Sequence, residues 1–551
     1  MSSEGDQTVF YNAVTDTRES SADVLFADKN YTFITDTTSS NGSFQSGMMQ
    51  FDLSTLSSQS QYVSLSEAVI EFPVKVLVEL GSQANTAAFP IDVVTLKNSF
   101  NHFIDGCQVI VNGQTLQSMQ SYENVSATFK ILSEWDSDTS VKYGKSIGLT
   151  IDDCTADGAA QPGLNDAVAS TVSTTLLGFN AYETTLANKA LLSRQSVVSN
   201  VSAGAATLQR AILTDGVMKT AGRHNAANLG GFGVAGARIM EQCYLATVRL
   251  KDIASVADFP LVKNLKGYVY ISFNSTRITA TSDGAGAITS YSVVPITGRS
   301  CPIMINHSLI SAASIGNSNT LIITANVNAD ANNVSSCGPV ISNARLLCPY
   351  YVSNPKTDLA LSQPNKFFTS QEKIVVPITV GANQSVNVTL TSGVQNPTGV
   401  LMLPMHQRLG GQTTFCDSPE ISPFDICPGG STPFAMLNNL QVYCANKPIY
   451  QNNVMYDFEA WYQEVSRTGL ADGIVDQQSS GLLSQTLWEQ NHRFYYTDLR
   501  RRAPSEDGAS RSIQVAFQNP STTFGMKVIC IVFYEKKWTI NTMTCQLSSS
   551  A

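Results

Sequence analysis

Along residues 68–80, Ile70, Phe72, Val74, Val76 and Val78 fall at every second position, with Glu71, Lys75 and Glu79 between them. A period of two belongs to the β-strand, whose side chains point alternately to opposite faces, so the segment reads as a half-buried strand. Similar strands read at Gly267–Phe273, Leu440–Cys444, Ser512–Phe517 and Val528–Tyr534. Turn residues separate these short runs throughout, as in all-β sandwich folds. Helical periodicity is rare. Its best instance is Tyr456–Val465, where Phe458, Trp461, Tyr462 and Val465 follow i, i+3, i+4, i+7 spacing.

The strand pattern recurs within the chain, the signature of internal duplication. Ser66-Glu-Ala68-Val-Ile-Glu-Phe-Pro73-Val-Lys-Val76 aligns without gaps on Ser342-Asn-Ala344-Arg-Leu-Leu-Cys-Pro349-Tyr-Tyr-Val352. Gln108-Val109, followed by Asn112-Gly113, aligns on Gln441-Val442, followed by Ala445-Asn446, and each copy then enters a helix at Tyr122 or Tyr456. Ile271–Thr279 aligns on Ile531–Thr539. The offset changes from anchor to anchor, which locates insertions. The second copy is longer between the first two anchors and the first copy between the last two, with that excess at about 140–240. At 551 residues the chain is long for one domain. It reads instead as two sandwiches in tandem: the first over 46–300 with the 140–240 insertion, the second over 301–551. A polar stretch, 1–45, precedes them. It reads either as a disordered tail or as an arm that orders on a neighbouring subunit.

Composition narrows the function. Charged residues make up 14% of the chain, against roughly 25% in ordinary soluble proteins. Such a surface suits a protein buried against copies of itself. The net charge is −9, and the densest basic run is Arg500, Arg501 and Arg502. Binding nucleic acid by neutralising phosphates needs a basic patch or arm, so no direct sequence-specific nucleic-acid binding is expected. A membrane-surface role lacks the same signal. The N-terminus MSSEGDQTVF does not read as a secretory signal. The uncharged stretches 300–329 and 374–407 are broken by polar residues, glycine and proline, and neither holds an apolar run of about 18 residues. Eleven cysteines with no CxxC pair read as reduced thiols in an intracellular compartment.

Candidate chemical sites fare poorly. Gly231-Phe-Gly233-Val-Ala-Gly236 fits GxGxxG, but loop-like residues precede it where a dinucleotide fold needs a strand. Gly144-Lys145-Ser146 resembles the end of a phosphate-binding loop, yet Thr139 stands where its first glycine belongs. His102, His224, His307, His406 and His492 are far apart and give no metal-ligand spacing. Asp152-Asp153 and Asp136-Ser-Asp138 read as turn formers and helix caps in Ser/Thr-rich loops. There is no GxSxG. Sequons at Asn30, Asn41, Asn124, Asn200, Asn274, Asn306, Asn333, Asn383 and Asn387 follow from a composition rich in Asn, Ser and Thr. No catalytic, cofactor-binding or metal residue is assigned, and no cofactor is expected.

The second half carries a distinctive string. It runs Ser422-Pro-Phe424, Ser431-Thr-Pro433, the strand Leu440–Cys444, Tyr450-Gln-Asn-Asn453 and Tyr456-Asp-Phe-Glu459. Thr468-Gly-Leu470 and Ser480-Gly-Leu-Leu483 follow, then Arg493-Phe-Tyr-Tyr496-Thr-Asp-Leu499-Arg-Arg501 and Pro504-Ser-Glu-Asp507. Ser512-Ile-Gln-Val515 and Phe533-Tyr-Glu-Lys536 close it. With Asn343-Ala-Arg345-Leu-Leu-Cys-Pro349-Tyr and Asn354-Pro355, this resembles the double jelly-roll major capsid proteins of polinton-like viruses, virophages and related small DNA viruses. The resemblance covers about 340–540 closely, and departs from the family after Ser480 and through 140–240.

The resemblance implies an all-β chain of two tandem eight-stranded jelly rolls, each with a short flanking helix and long loop insertions. It implies a non-enzymatic major capsid protein that forms homotrimers of pseudo-hexameric shape. These tile an icosahedral shell around DNA, in the virion, after assembly inside the host cell. The partners it implies are the protein itself and penton or minor capsid proteins; a membrane is left open. The 140–240 insertion is expected at the outer surface of the capsomer, locking the trimer. Arg500–Arg502 beside Pro504–Asp507 reads either as a solvated turn or as an inter-subunit ion pair. The competing class is a secreted or surface β-sandwich adhesin or carbohydrate-binding protein. That class wants exposed aromatics, whereas Trp135, Trp461, Trp488 and Trp538 sit in or near predicted strands and helices and look like core.

Overall fold

The computed structural model describes residues 26–38, 47–58, 61–81, 91–97, 99–149, 151, 196–197, 238–282, 288–307, 319–327, 343–353, 365–407, 420–421, 423, 435–466, 481–490, 492–500, 508–522 and 524–550. The first sandwich is built from β1 (Phe26–Thr35), β2 (Met48–Asp52), β3 (Val69–Leu80), β4 (Ile104–Val111), β5 (Gln114–Gln117), β6 (Arg238–Arg249), β7 (Gly267–Phe273), β8 (Ser275–Ser282), β9 (Ile288–Thr297), β10 (Asn319–Asn326) and β11 (Arg345–Ser353). One sheet runs β1-β11-β3-β6, antiparallel throughout. The facing sheet runs β2-β7-β4-β5. Strands β8 to β10 extend the first sheet along the far half of β3, with Leu321 of β10 opposite Leu80.

The second sandwich is built from β12 (Lys366–Val380), β13 (Ser385–Val394), β14 (Pro397–Gln407), β15 (Asn438–Cys444), β16 (Lys447–Pro448), β17 (Tyr495–Asp498), β18 (Arg511–Gln518) and β19 (Gly525–Ile540). Its sheets run β12-β19-β14-β17 and β13-β18-β15-β16. With β8 to β10 and the additional strands Tyr62–Val63, Ile91–Leu96, Ser196–Val197, Ile303–His307 and Leu547–Ser550 set aside, the strand order is the same in both sandwiches. The first, eighth, third and sixth strands make one sheet; the second, seventh, fourth and fifth make the other. Between the fifth and sixth strands each copy carries a helix, α1 (Glu123–Glu134) in the first and α2 (Phe458–Ser466) in the second.

The expected strands form where the alternation lay. Ile70, Phe72, Val74, Val76 and Val78 are all buried in the first core. The duplication is real, but only one of its three sequence anchors joins equivalent strands. Val109 in β4 faces Val269 of β7, and Val442 in β15 faces Val515 of β18, a fourth strand against a seventh in each sandwich. The first anchor instead aligned two neighbours of one sheet, since Glu71 of β3 lies opposite Arg345 of β11. The third aligned the end of the seventh strand of one copy with the eighth strand of the other. Alternation reports that one face of a strand is buried, not where the strand sits in its sheet, so unrelated strands can align well.

Two expected boundaries move for the same reason. Strands Ile303–His307, β10 and β11 pair with strands of the first half, so the first sandwich extends past residue 300 to Ser353. The stretch 1–45 is not an arm throughout. Residues 26–35 form β1, paired along its length with β11, and Ile34 enters the core. Residues 1–25 and 39–45 lie outside the described residues. So does most of 140–240. Its described parts are the end of the helix Ser137–Tyr143, the segment that follows it to Leu149, Ile151, the short strand Ser196–Val197 and the start of β6. The expected placement of that insertion at the capsomer surface therefore lies outside the described residues.

Candidate assembly interface

A seam within the chain joins the two sandwiches through α1. Tyr122, Val125, Phe129 and Leu132 form one apolar stripe along α1. This stripe is buried in the core of the second sandwich, not the first. The Phe129 ring lies among Trp461, Phe494, Tyr496 and Phe533, with centroid separations of 6.0, 5.4, 5.5 and 6.1 Å. Two of these contacts are edge-on and two stacked, both favourable arrangements for aromatic rings. Gly399 makes room for the cluster, because a Cβ there would stand 2.2 Å from the Tyr496 hydroxyl oxygen. At the far end of α1, the Leu482 amide donates to the Leu132 carbonyl at 2.8 Å. Gly481 just before it has φ +68 and no room for a Cβ against that same carbonyl.

The seam also explains an irregular stretch of sequence. Val528, Ile529, Cys530, Ile531, Val532 and Phe533 of β19 are all buried. One face of this central strand meets the second core and the other meets α1, so alternation disappears where both faces are covered.

Buried ion pairs tie the apolar contacts into one register. Glu123 of α1 and Lys373 of β12 form an ion pair with side chains 1% and 7% exposed. Glu123 also accepts from Gln117 Nε2 at 3.3 Å, and Gln117 Oε1 accepts from the Ser255 amide at 2.7 Å. Glu372 accepts from Ser118 Oγ at 2.9 Å, from Lys536 Nζ at 2.8 Å and from the Tyr534 hydroxyl at 3.3 Å. Lys527 pairs with Glu420 and donates to the Tyr122 hydroxyl at 3.1 Å. Each cluster joins residues from both halves of the chain. Desolvation offsets much of the Coulomb gain in such pairs, so they act chiefly by penalising any arrangement that separates the partners.

The titration behaviour follows. Burial lowers the Lys373 pKa, and the nearby Lys130 adds to this, against the attraction of Glu123. For Lys527 burial also pulls downward, but the attraction and hydrogen bond of Glu420 outweigh it and the pKa rises. Burial, reinforced by the charge of Glu372, pushes Tyr534 up to about 12.

The residues singled out in the sequence are dispersed. His102 and His492 are buried in different sandwiches, and His224 lies outside the described residues, as do the side chains of His307 and His406. Among the described residues no group of three or more His, Cys, Asp or Glu gathers as a metal site. Asp136 caps a helix, its Oδ1 accepting from the Thr139 amide at 2.6 Å, and Asp138 pairs with Lys142. Gly231–Gly236 and Asp152-Asp153 are outside the described residues. Arg500 lies 3.5 Å from Glu535 of its own chain, and 501–507 are outside the described residues. The four tryptophans are buried. Asn124 and Asn274 are buried too, both donating to Ser300 Oγ, at 2.7 and 2.6 Å. Their sequons are therefore closed to modification in the folded chain. Sequence reasoning missed Glu123, Phe129 and Lys373. The one available signal was the unbroken apolar run at 528–533.

No protein-family profile and no curated protein matches the sequence. Among solved structures the chain is similar to one from the Sputnik virophage, determined by cryo-EM, at 11% identity and a TM-score of 0.51. The match covers 97% of this chain and 90% of that one. The chain has a double jelly-roll fold. Two sandwiches with one strand order, matched over 97% of this chain, are the architecture of the double jelly roll. The mavirus major capsid protein is also similar, at 9% identity and a TM-score of 0.45, over 97% of this chain and 92% of that one. The Faustovirus major capsid protein follows at 8% identity and a TM-score of 0.42, over 94% and 92%. No described helix of the double jelly roll is long and apolar enough to cross a membrane.

Proposed function

We propose that this chain is a major capsid protein with a structural, non-enzymatic role in the virion. Three copies form a capsomer of pseudo-hexameric shape, and capsomers tile an icosahedral shell that encloses DNA. The observation that carries this reading is the duplicated strand order, packed across a buried seam and matched over 97% of this chain by a virophage structure. Three copies of a two-sandwich chain present six similar sandwiches, which fits a lattice of near-sixfold units. The composition agrees: 14% charge leaves broad neutral surfaces for self-association, and −9 disfavours a coat that wraps DNA with a basic arm. Obligate interfaces commonly bury 2,000–5,000 Å² or more, and at roughly 25 cal/mol per Å² of apolar area this drives assembly. Penton and minor capsid proteins complete the proposed shell.

The adhesin or carbohydrate-binding reading gains no support from the tryptophans, since all four are buried. Light scattering on purified protein, combined with negative-stain microscopy, tests the proposal. Trimers of pseudo-hexagonal outline, or shells, are expected; a protein that stays monomeric at high concentration would sink it.

A further inference from the structure

Strand β19 serves two cores in succession. Its residues Val528 to Phe533 belong to the second core, whereas Trp538 and Ile540 belong to the first. Phe368 of β12 joins them there, edge-on to Phe259 with 5.3 Å between centroids. Trp538 Nε1 donates to Ser370 Oγ at 2.8 Å and fixes this crossing. Beyond Ile540 the chain turns back and returns as the strand Leu547–Ser550, with Leu547 opposite Ile540. Asn541 builds the turn. Its Oδ1 accepts from the Met543 and Thr544 amides, each at 3.0 Å, and its carbonyl accepts from the Cys545 amide at 2.8 Å. The Cys545 side chain is buried in the first core.

The main-chain carbonyls of this turn are held by the first sandwich. The Thr542 carbonyl accepts from the Lys263 amide at 2.8 Å, and the Met543 carbonyl from Asn264 Nδ2 at 2.8 Å. The Cys545 carbonyl accepts from Asn112 Nδ2 at 3.1 Å. These donors come from the turn between β4 and β5 and from the approach to β7, gathered at one end of the sandwich. Asn112 and Asn264 sit at φ +48 and +56, a left-handed backbone that asparagine and glycine tolerate best. We infer that Asn541–Leu547 is a latch: a segment from the second half of the chain that closes the end of the first sandwich and opens on its own. Its seat grips the bend of a peptide backbone, and Cys545 fills the apolar slot beside it. Releasing three carbonyls and one small side chain leaves β19 paired with β12 and β14. A segment held by so few contacts opens below the threshold of global unfolding. The exchange between the sandwiches is then reciprocal, with α1 in the second core and the latch in the first.

The test is thiol labelling of the full-length protein under native conditions, read by peptide mapping. Asn112→Gly/Asn264→Gly removes two of the three donors, and glycine keeps the positive φ at both positions. Loss of two hydrogen bonds should raise the open population, and with it the labelling rate of Cys545, by about tenfold or more. Cys530, buried in the second core, should keep its wild-type rate. Asn541→Ala, which loosens the turn from within, is expected to have the same selective effect and covers the case in which the first variant misfolds. Faster labelling of Cys545 with Cys530 unchanged, in either variant, establishes the latch. If the two cysteines accelerate together in both variants, the segment opens only with the whole molecule and the inference is wrong. It is equally wrong if Cys545 labels at the wild-type rate in both.

Discussion

The ring of Phe129 is stacked on that of Tyr496, with 5.5 Å between centroids and 26° between planes. The first residue belongs to a helix of the first sandwich and the second to a strand of the other. One sandwich thus supplies a core residue to its neighbour, and the pair behaves as one packed body rather than two beads on a linker.

Phe129→Ala should therefore cost more than a surface change. Loss of a buried phenylalanine with partial collapse of its site costs about 3–5 kcal/mol. Denaturant unfolding should show that loss, together with a broadened or split transition as the sandwiches uncouple. A change below about 1 kcal/mol would mean that the second core does not depend on α1.

The Glu123–Lys373 pair should respond asymmetrically. Lys373→Met leaves Glu123 buried without its cation, at a cost of about 3–5 kcal/mol. Glu123→Gln combined with Lys373→Met should recover most of that loss, because no uncompensated charge remains. A double-mutant cycle from equilibrium unfolding measures the coupling, and purely additive costs would contradict it.

Alkaline conditions should loosen the seam. Folding raises the Tyr534 pKa from 10.0 to about 12, so between those values the unfolded chain holds fewer protons than the folded one. Stability then falls as pH rises through the window. Lys527, raised above 10.5, works in the same direction. Lys373, lowered, opposes it only below 10.5. The denaturant midpoint should drop between pH 10 and 12, and Tyr534→Phe should flatten the drop. An identical slope in the variant would remove Tyr534 from the account.

The described cysteines should be inert in the folded chain. Cys107, Cys301, Cys348, Cys444, Cys530 and Cys545 are free and buried. Burial pushes the Cys348 thiol up to about 12 and moves Cys107 and Cys530 in the same direction. Peptide mapping after mild alkylation should find these six unmodified until denaturant is added. Rapid native labelling of Cys530 would show that β19 is not closed on both faces.

How far the sequence could be read depended on the range of the interactions. Gly267–Phe273 was bounded correctly, and β18 was placed within a residue at each end, because each has one buried and one wetter face. In contrast, the sequence pattern puts Arg345–Pro349 in the second sandwich, whereas the structure pairs it within the first. Its alternation is the same whether it pairs with β3 or opens a new domain, and only its partner Glu71 distinguishes the two. The candidate interface was less legible still. Phe129 reads as an ordinary apolar position of an amphipathic helix, and Lys373 as one charge in a strand.

The sequence by itself determined the class of fold and the absence of a recognisable catalytic motif, and it pointed to a duplication whose strand correspondence it could not fix. Those properties live in local periodicity, in recurring order and in composition, which survive without knowledge of partners. Only the tertiary structure decided which strands are neighbours, where the first sandwich ends, and that α1 completes the core of the second. Those outcomes depend on contacts such as Ser118 with Glu372 and Glu123 with Lys373, between residues far apart in the chain. A one-dimensional pattern records that a side chain is buried; it does not record against what.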